Sequence, residues 1–140
     1  MNTTFVPGQV IGKITGTEAD HIPHSWNFPE SGFVLQISSG RFIIPSGAFS
    51  DAKHSCFPNC GINESLQLVA IRRFNASEIV TIDFSTTLLD GMCFSCDCGC
   101  TGCRGIIRAF PLIPYFFQEY YLERRALTHF IKQSLYFSLK

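Results

Sequence analysis

Apolar side chains along this chain come first in short bursts and then, near the end, in a longer run with a helical repeat. Residues 5–15, Phe-Val-Pro-Gly-Gln-Val-Ile-Gly-Lys-Ile-Thr, read as strand material broken by Pro7, Gly8 and Gly12. A polar, proline-containing loop is expected over residues 18–31. Residues 32–38 and 41–45 read as a hairpin pair turning at Ser39 and Gly40. Two further strands are expected, over 66–72 and over 78–84; in the second, Ile79, Thr81 and Asp83 alternate with Val80, Ile82 and Phe84. No helical repeat longer than two turns occurs before residue 90. Over residues 115–139 the rhythm changes, with Phe116, Tyr120, Leu127, Phe130, Ile131 and Leu135 near helical spacing. This predicts one amphipathic helix packed on the sheet. Glu119, Glu123, Arg124, Arg125 and Lys132 interrupt it, so it is not expected to cross a membrane. The adjacent rings of Phe116, Phe117, Tyr120 and Tyr121 also make it a candidate surface for a homodimer.

Size and charge narrow the picture. The chain has 140 residues, enough for one domain, and 46% hydrophobic residues including 14 phenylalanines, ample for a core. Eleven basic and eleven acidic side chains cancel, which disfavours nucleic acid as the main partner, since phosphate binding needs a basic field. The first residues show no basic start followed by an apolar run, so no secretory signal is expected. The chain is read as cytoplasmic, or nuclear if eukaryotic. The acceptor-like triplets beginning at Asn2, Asn63 and Asn75 are then chance matches to a glycosylation pattern.

Seven cysteines, an odd number, suit a disulfide framework poorly. Five of them fall between Cys93 and Cys103, among Gly99, Gly102 and Gly105, and the other two are Cys56 and Cys60. Two thiol groups far apart in sequence are what a metal joining two parts of a chain requires. His21 and His24 in the polar loop are a weaker metal candidate, more in keeping with solvated surface.

Three stretches carry a family resemblance. His54-Ser-Cys-Phe-Pro-Asn59 resembles the "NHSCxPN" signature of SET-domain protein-lysine methyltransferases. Ser77-Glu-Ile-Val-Thr-Ile-Asp-Phe84 is similar to that family's "GEELTxDY" strand. Cys96-Asp-Cys98, followed after four residues by Cys103-Arg-Gly105, is similar to its post-SET "CxCxxxxCRG". The match covers roughly residues 53 to 107. It implies a mostly β fold of several small curved sheets, a β-clip with a pseudoknot, in three parts: a SET-like core over 1–92, a zinc-binding post-SET segment over 93–108 and a C-terminal helical segment over 109–140. It also implies S-adenosylmethionine and a lysine-bearing protein or peptide entering from opposite faces. Carried over residue by residue, the resemblance gives Cys56, Cys96, Cys98 and Cys103 as ligands of a structural zinc ion; spacing alone leaves open a set with Cys100 in place of one of them. Lys53 and His54 stand at its cofactor-binding positions and Phe84 at its catalytic tyrosine.

Three features depart from the family pattern, and all fall on the chemistry. Phe84 keeps the ring of the tyrosine but lacks its hydroxyl. Lys53 replaces an asparagine, exchanging a two-way amide for a donor-only cation. The family's opening "GxG" is absent, with Gly8, Gly12 and Gly16 spaced too widely. Two functions are therefore expected from one scaffold: transfer of methyl to a lysine amine, or an inactive zinc-binding SET fold that serves as a protein-interaction module.

Overall fold

The computed structural model describes residues 3–138, with the side chains of residues 136–138 left aside. Met1, Asn2, Leu139 and Lys140 lie outside the described residues.

Among the described residues, the part of the chain before the helices holds twelve short strands in five small sheets. β1 (Thr4–Phe5) pairs antiparallel with β9 (Phe74–Asn75). β2 (Val10–Lys13), β8 (Gln67–Ala70) and β7 (Cys60–Ile62) form an antiparallel sheet in that spatial order. β3 (Thr15–Ala19), β5 (Arg41–Ser46) and β4 (Leu35–Ser38) form another. β6 (Lys53–His54) lies parallel to β10 (Thr81–Ile82), and β11 (Cys93–Ser95) is antiparallel to β12 (Ile106–Arg108). Two helices, α1 (Tyr115–Glu123) and α2 (His129–Ser138), complete a mostly β fold.

β8 explains how so thin a set of sheets acquires two cores. Side chains alternate across a strand. Leu68 and Ala70 face the larger core with Phe33, Leu35, Ile82, Phe84 and Phe94, whereas Val69 and Ile71 face a smaller one. In that smaller core they meet Phe110, Tyr121, Leu127 and Ile131, which all come from the C-terminal segment. Gly61 on β7 lets the chain between the helices come close: a Cβ there would stand 2.4 Å from that of Ala126.

Several expected boundaries move. The single helix over 115–139 is two helices. Arg125 takes a left-handed φ of 56° between them, and Ala126 and Leu127 are buried in the link. Thr128 then opens α2, its Oγ1 accepting from the Ile131 N–H at 3.4 Å. A helical pattern that includes Leu127 was satisfied by burial rather than by continuous helix. The polar loop begins later than expected, because β3 runs through Glu18 and Ala19 against β5, with Arg41 donating to Glu18 across the sheet. The strand over 78–84 shrinks to Thr81–Ile82. Glu78 instead closes a turn by accepting from the Asn75 N–H at 2.8 Å, and Asp83 caps a 3-10 turn over Phe84–Thr86. The expected hairpin is observed with its first strand trimmed to Leu35–Ser38 and its second extended to Arg41–Ser46, and the strand at 66–72 is observed as Gln67–Ala70. Among the described residues no helix is long and apolar enough to cross a membrane.

A candidate four-cysteine metal centre and the cleft beside it

Residues 54–59 lie across β10 and are clamped to it. Ser55 N–H donates to the Ile82 carbonyl at 3.0 Å, continuing the parallel pairing. Asn59, only 2% exposed, does most of the holding. Its Nδ2 donates to the Ile79 carbonyl at 2.9 Å, its Oδ1 accepts from the Thr81 N–H at 2.9 Å, and its own N–H donates to Thr81 Oγ1 at 3.0 Å. The amide at the end of His54-Ser-Cys-Phe-Pro-Asn59 thus fixes the loop that carries Cys56.

The β11–β12 hairpin brings the second thiol group to the first. Cys96 N–H donates to the Gly105 carbonyl at 2.7 Å, and Gly105 takes a φ of 79°, a conformation glycine adopts without strain. The Sγ atoms of Cys56, Cys96, Cys98 and Cys103 all lie within 4.8 Å of one another. Four sulfurs at ~2.3 Å from a tetrahedral zinc would stand ~3.8 Å apart, and Cys56 and Cys96 are separated by 3.9 Å. The donor set fits a soft-ligand structural site. Without a cation, three of these thiols are pushed in different directions. Burial pushes the Cys56 and Cys96 thiols up. Cys98 is drawn down to about 6: burial resists the thiolate, but backbone and thiol hydrogen bonds outweigh it. A divalent cation would let all four ionise together. These four cysteines are the set expected from sequence, and they are close enough to hold a metal such as zinc. Cys100 lies against the cluster, its Sγ 3.4 Å from that of Cys98. His21 and His24 face each other with ring centroids 5.7 Å apart on exposed loop, and among the described residues they belong to no ligand cluster.

Behind the thiols is a buried polar junction that sequence reasoning did not find. The Asp83 side chain is fully buried and accepts three hydrogen bonds: from Arg104 Nη2 at 2.7 Å and Ser85 N–H at 3.0 Å on Oδ1, and from the Tyr121 hydroxyl at 2.6 Å on Oδ2. Burial and the neighbouring carboxylate hold the Tyr121 hydroxyl protonated, far above its ordinary range. Arg104 also donates its backbone N–H to Cys56 Sγ at 3.4 Å and lays its guanidinium over the Phe117 ring at 4.9 Å. One residue of the thiol-rich segment therefore touches a metal-ligand candidate, the β core and α1.

His54 lies between these groups. The Phe84 N–H, which can only donate, points at His54 Nδ1 at 3.1 Å, so Nδ1 is the acceptor and Nε2 carries the proton. Nε2 is 3.6 Å from Cys56 Sγ, in position to donate to it. Burial, with the Arg104 charge adding to it against Asp83, keeps the ring neutral and pushes it down to about 4.

Lys53 and His54 open onto a cleft of about 250 Å³, shared with Pro29, Glu30, Phe94 and the thiol-segment residues Cys96, Asp97 and Cys98. Phe84 is not part of its wall. It is 1% exposed and packs behind it, with ring centroids 5.4 Å from His54, 5.9 Å from Phe33 and 6.2 Å from Phe94. Compared with known proteins, the chain matches no family model and no curated protein.

Proposed function

We propose that this chain is a zinc-stapled SET-type domain of the protein-lysine methyltransferase kind, with S-adenosylmethionine as methyl donor and a lysine-bearing protein or peptide as acceptor. One observation carries the reading: Cys56, from the stretch that resembles "NHSCxPN", meets Cys96, Cys98 and Cys103, from the stretch that resembles "CxCxxxxCRG". The parallel pairing of β6 with β10, across an intervening stretch that includes β7, β8 and β9, supports the family's pseudoknot.

In this reading zinc fixes one wall of the cleft, because two of its ligands, Cys96 and Cys98, line it. S-adenosylmethionine supplies an activated methyl group on a sulfonium. The chain's own task is to receive a neutral lysine amine, strip it of water and align it. Phe94 and Pro29 supply apolar wall, and Glu30 and Asp97 offset the positive charge of Lys53.

A second reading, a domain that binds a lysine-bearing protein without transferring methyl, is favoured by Phe84. No hydroxyl stands on that ring, and the Tyr121 hydroxyl is committed to Asp83. The cleft is also smaller than the ~300–1,000 Å³ of pockets that enclose a small ligand.

Two measurements separate the readings. Calorimetry of the zinc-containing protein with S-adenosylmethionine, and transfer of a labelled methyl group to a broad panel of lysine-containing proteins, both give signal for an enzyme. Neither heat nor label removes the methyltransferase and leaves the binding domain. Of the four rings expected to form a dimer surface, Tyr121 is buried in the smaller core; in either case the exposed Phe116, with Tyr115 beside it in the first turn of α1 and Leu112 just before that helix, is the surface assigned to a second copy. A sedimentation experiment that finds only monomer at high protein concentration rejects that assignment.

A further inference from the structure

Cys100 is the thiol that the four-cysteine centre does not use, and it is in contact with a thiol that the centre does use. The Cys98 and Cys100 sulfurs are 3.4 Å apart, closer than Cys56 is to Cys96. A disulfide needs ~2.05 Å. The glycines between and beyond them leave room for the turn to adjust. Gly99 has a φ of 82°, and a Cβ added at Gly99 or Gly102 would meet nothing within 4 Å, so the backbone is uncrowded at those two positions. The remaining thiols are placed differently: Cys60 is fully buried, and Cys93 is exposed on β11 opposite Arg108.

We propose that Cys98 and Cys100 form a redox-sensitive pair whose oxidation by a peroxide withdraws one ligand from the metal centre and releases the ion. This rests on the zinc reading above. The Cys100 sulfur attacks one peroxide oxygen, the O–O bond breaks, and Cys100 becomes a sulfenic acid while its thiol proton leaves with the departing hydroxide as water. The Cys98 sulfur then attacks the Cys100 sulfur, the S–O bond breaks, and a second water leaves as the S–S bond forms. Two thiols lose two electrons and one peroxide gains them. Three thiolates remain around the ion, one short of a closed tetrahedral site. Because Cys96 and Cys98 line the cleft beside Lys53 and His54, the same event loosens that wall.

The test uses the full chain, purified with its zinc, and hydrogen peroxide in the presence of a colorimetric zinc chelator. Wild type is expected to lose its zinc, to yield a peptide containing a Cys98–Cys100 cross-link by mass spectrometry, and to recover zinc binding after reduction with dithiothreitol. Cys100→Ser should keep its zinc before treatment and release it roughly tenfold more slowly, because no sulfenic acid can form beside Cys98 for its sulfur to attack. Cys93→Ser should behave as wild type. Equal release from Cys100→Ser and wild type, or no Cys98–Cys100 cross-link, overturns the switch while leaving the metal site intact. Zinc missing from untreated Cys100→Ser makes Cys100 a ligand and also overturns it. Zinc missing from untreated wild type overturns the metal reading itself, and the switch with it.

Discussion

Replacing Tyr121 with phenylalanine isolates the bond that ties α1 to the β core. The ring stays, so no cavity opens. The lost group is the hydroxyl that donates to Asp83 Oδ2 at 2.6 Å, a separation typical of a charge-assisted O–H···O bond. Asp83 Oδ1 keeps Arg104 and Ser85, but Oδ2 has no other donor among its hydrogen bonds and lies in a side chain with no solvent exposure. A hydrogen bond to a buried charged group contributes about 1.5–3 kcal/mol. With a urea slope of about 2 kcal/mol per molar, the unfolding midpoint should fall by roughly 1 M. The assay is urea unfolding followed by circular dichroism at saturating zinc, since bound metal adds its own stability. Tyr120→Phe is the control. Tyr120 is half-buried next door, supports Arg124 over its ring and, among the described residues, donates no hydroxyl hydrogen bond, so a change within ~0.5 kcal/mol is expected. A Tyr121→Phe loss no larger than that of the control would mean that Asp83 is not the anchor of the helix.

Three further outcomes are expected. Cys98→Ala should strip zinc from the protein, read by elemental analysis, and increase hydrogen exchange over residues 93–108; unchanged metal content would show that Cys98 is not a ligand. Gly61→Ala should destabilise by about 1–3 kcal/mol through overpacking against Ala126, and a thermal shift indistinguishable from wild type would mean that β7 and the interhelical link are not in contact. In the native protein Cys60 should resist iodoacetamide at mildly alkaline pH while Cys93 is labelled, because burial pushes the Cys60 thiol up to about 12 against the weaker pull of Arg72; peptide mapping that finds Cys60 labelled first would reject that placement.

What could be read from the sequence follows the range of the interactions involved. The hairpin at Ser39 and Gly40 and the strand around Leu68 are local patterns, visible in a few residues. The grouping of Cys56 with Cys96, Cys98 and Cys103 is long-range; thiol density pointed only to a metal joining the two groups, and the particular four came from the resemblance of their stretches to the SET and post-SET motifs. The Asp83 junction was not. In the alternating strand pattern Asp83 reads as an outward polar residue. Its burial depends on Arg104 and Tyr121 arriving from elements 21 and 38 positions away. The break between α1 and α2 was hidden for a similar reason: Leu127 keeps the helical rhythm, and only the close approach of Ala126 to Gly61 shows that it is buried from a link. Thr128, a residue favoured at helix starts, was the available local signal.

Arg104 makes the two buried centres interdependent. Its backbone touches Cys56 while its guanidinium neutralises Asp83, so the position of the thiol segment and the charge balance of the core are set by one residue. Burying the Asp83–Arg104 pair adds little net stability, since desolvation offsets much of the attraction, but removing one partner leaves an isolated charge in a dry site. In the zinc reading proposed above, a fold that lost its metal would let residues 93–108 drift, draw Arg104 away from Asp83 and leave that carboxylate with Ser85 and Tyr121 alone. On that reading the four-cysteine centre would do more than pin a glycine-rich segment: by holding Arg104 in place it would keep Asp83 compensated, and through Asp83 and Tyr121 it would hold α1 against the sheet. Zinc removal should accordingly loosen the C-terminal helices as well as the thiol hairpin, whereas a change confined to the helices should leave the metal bound.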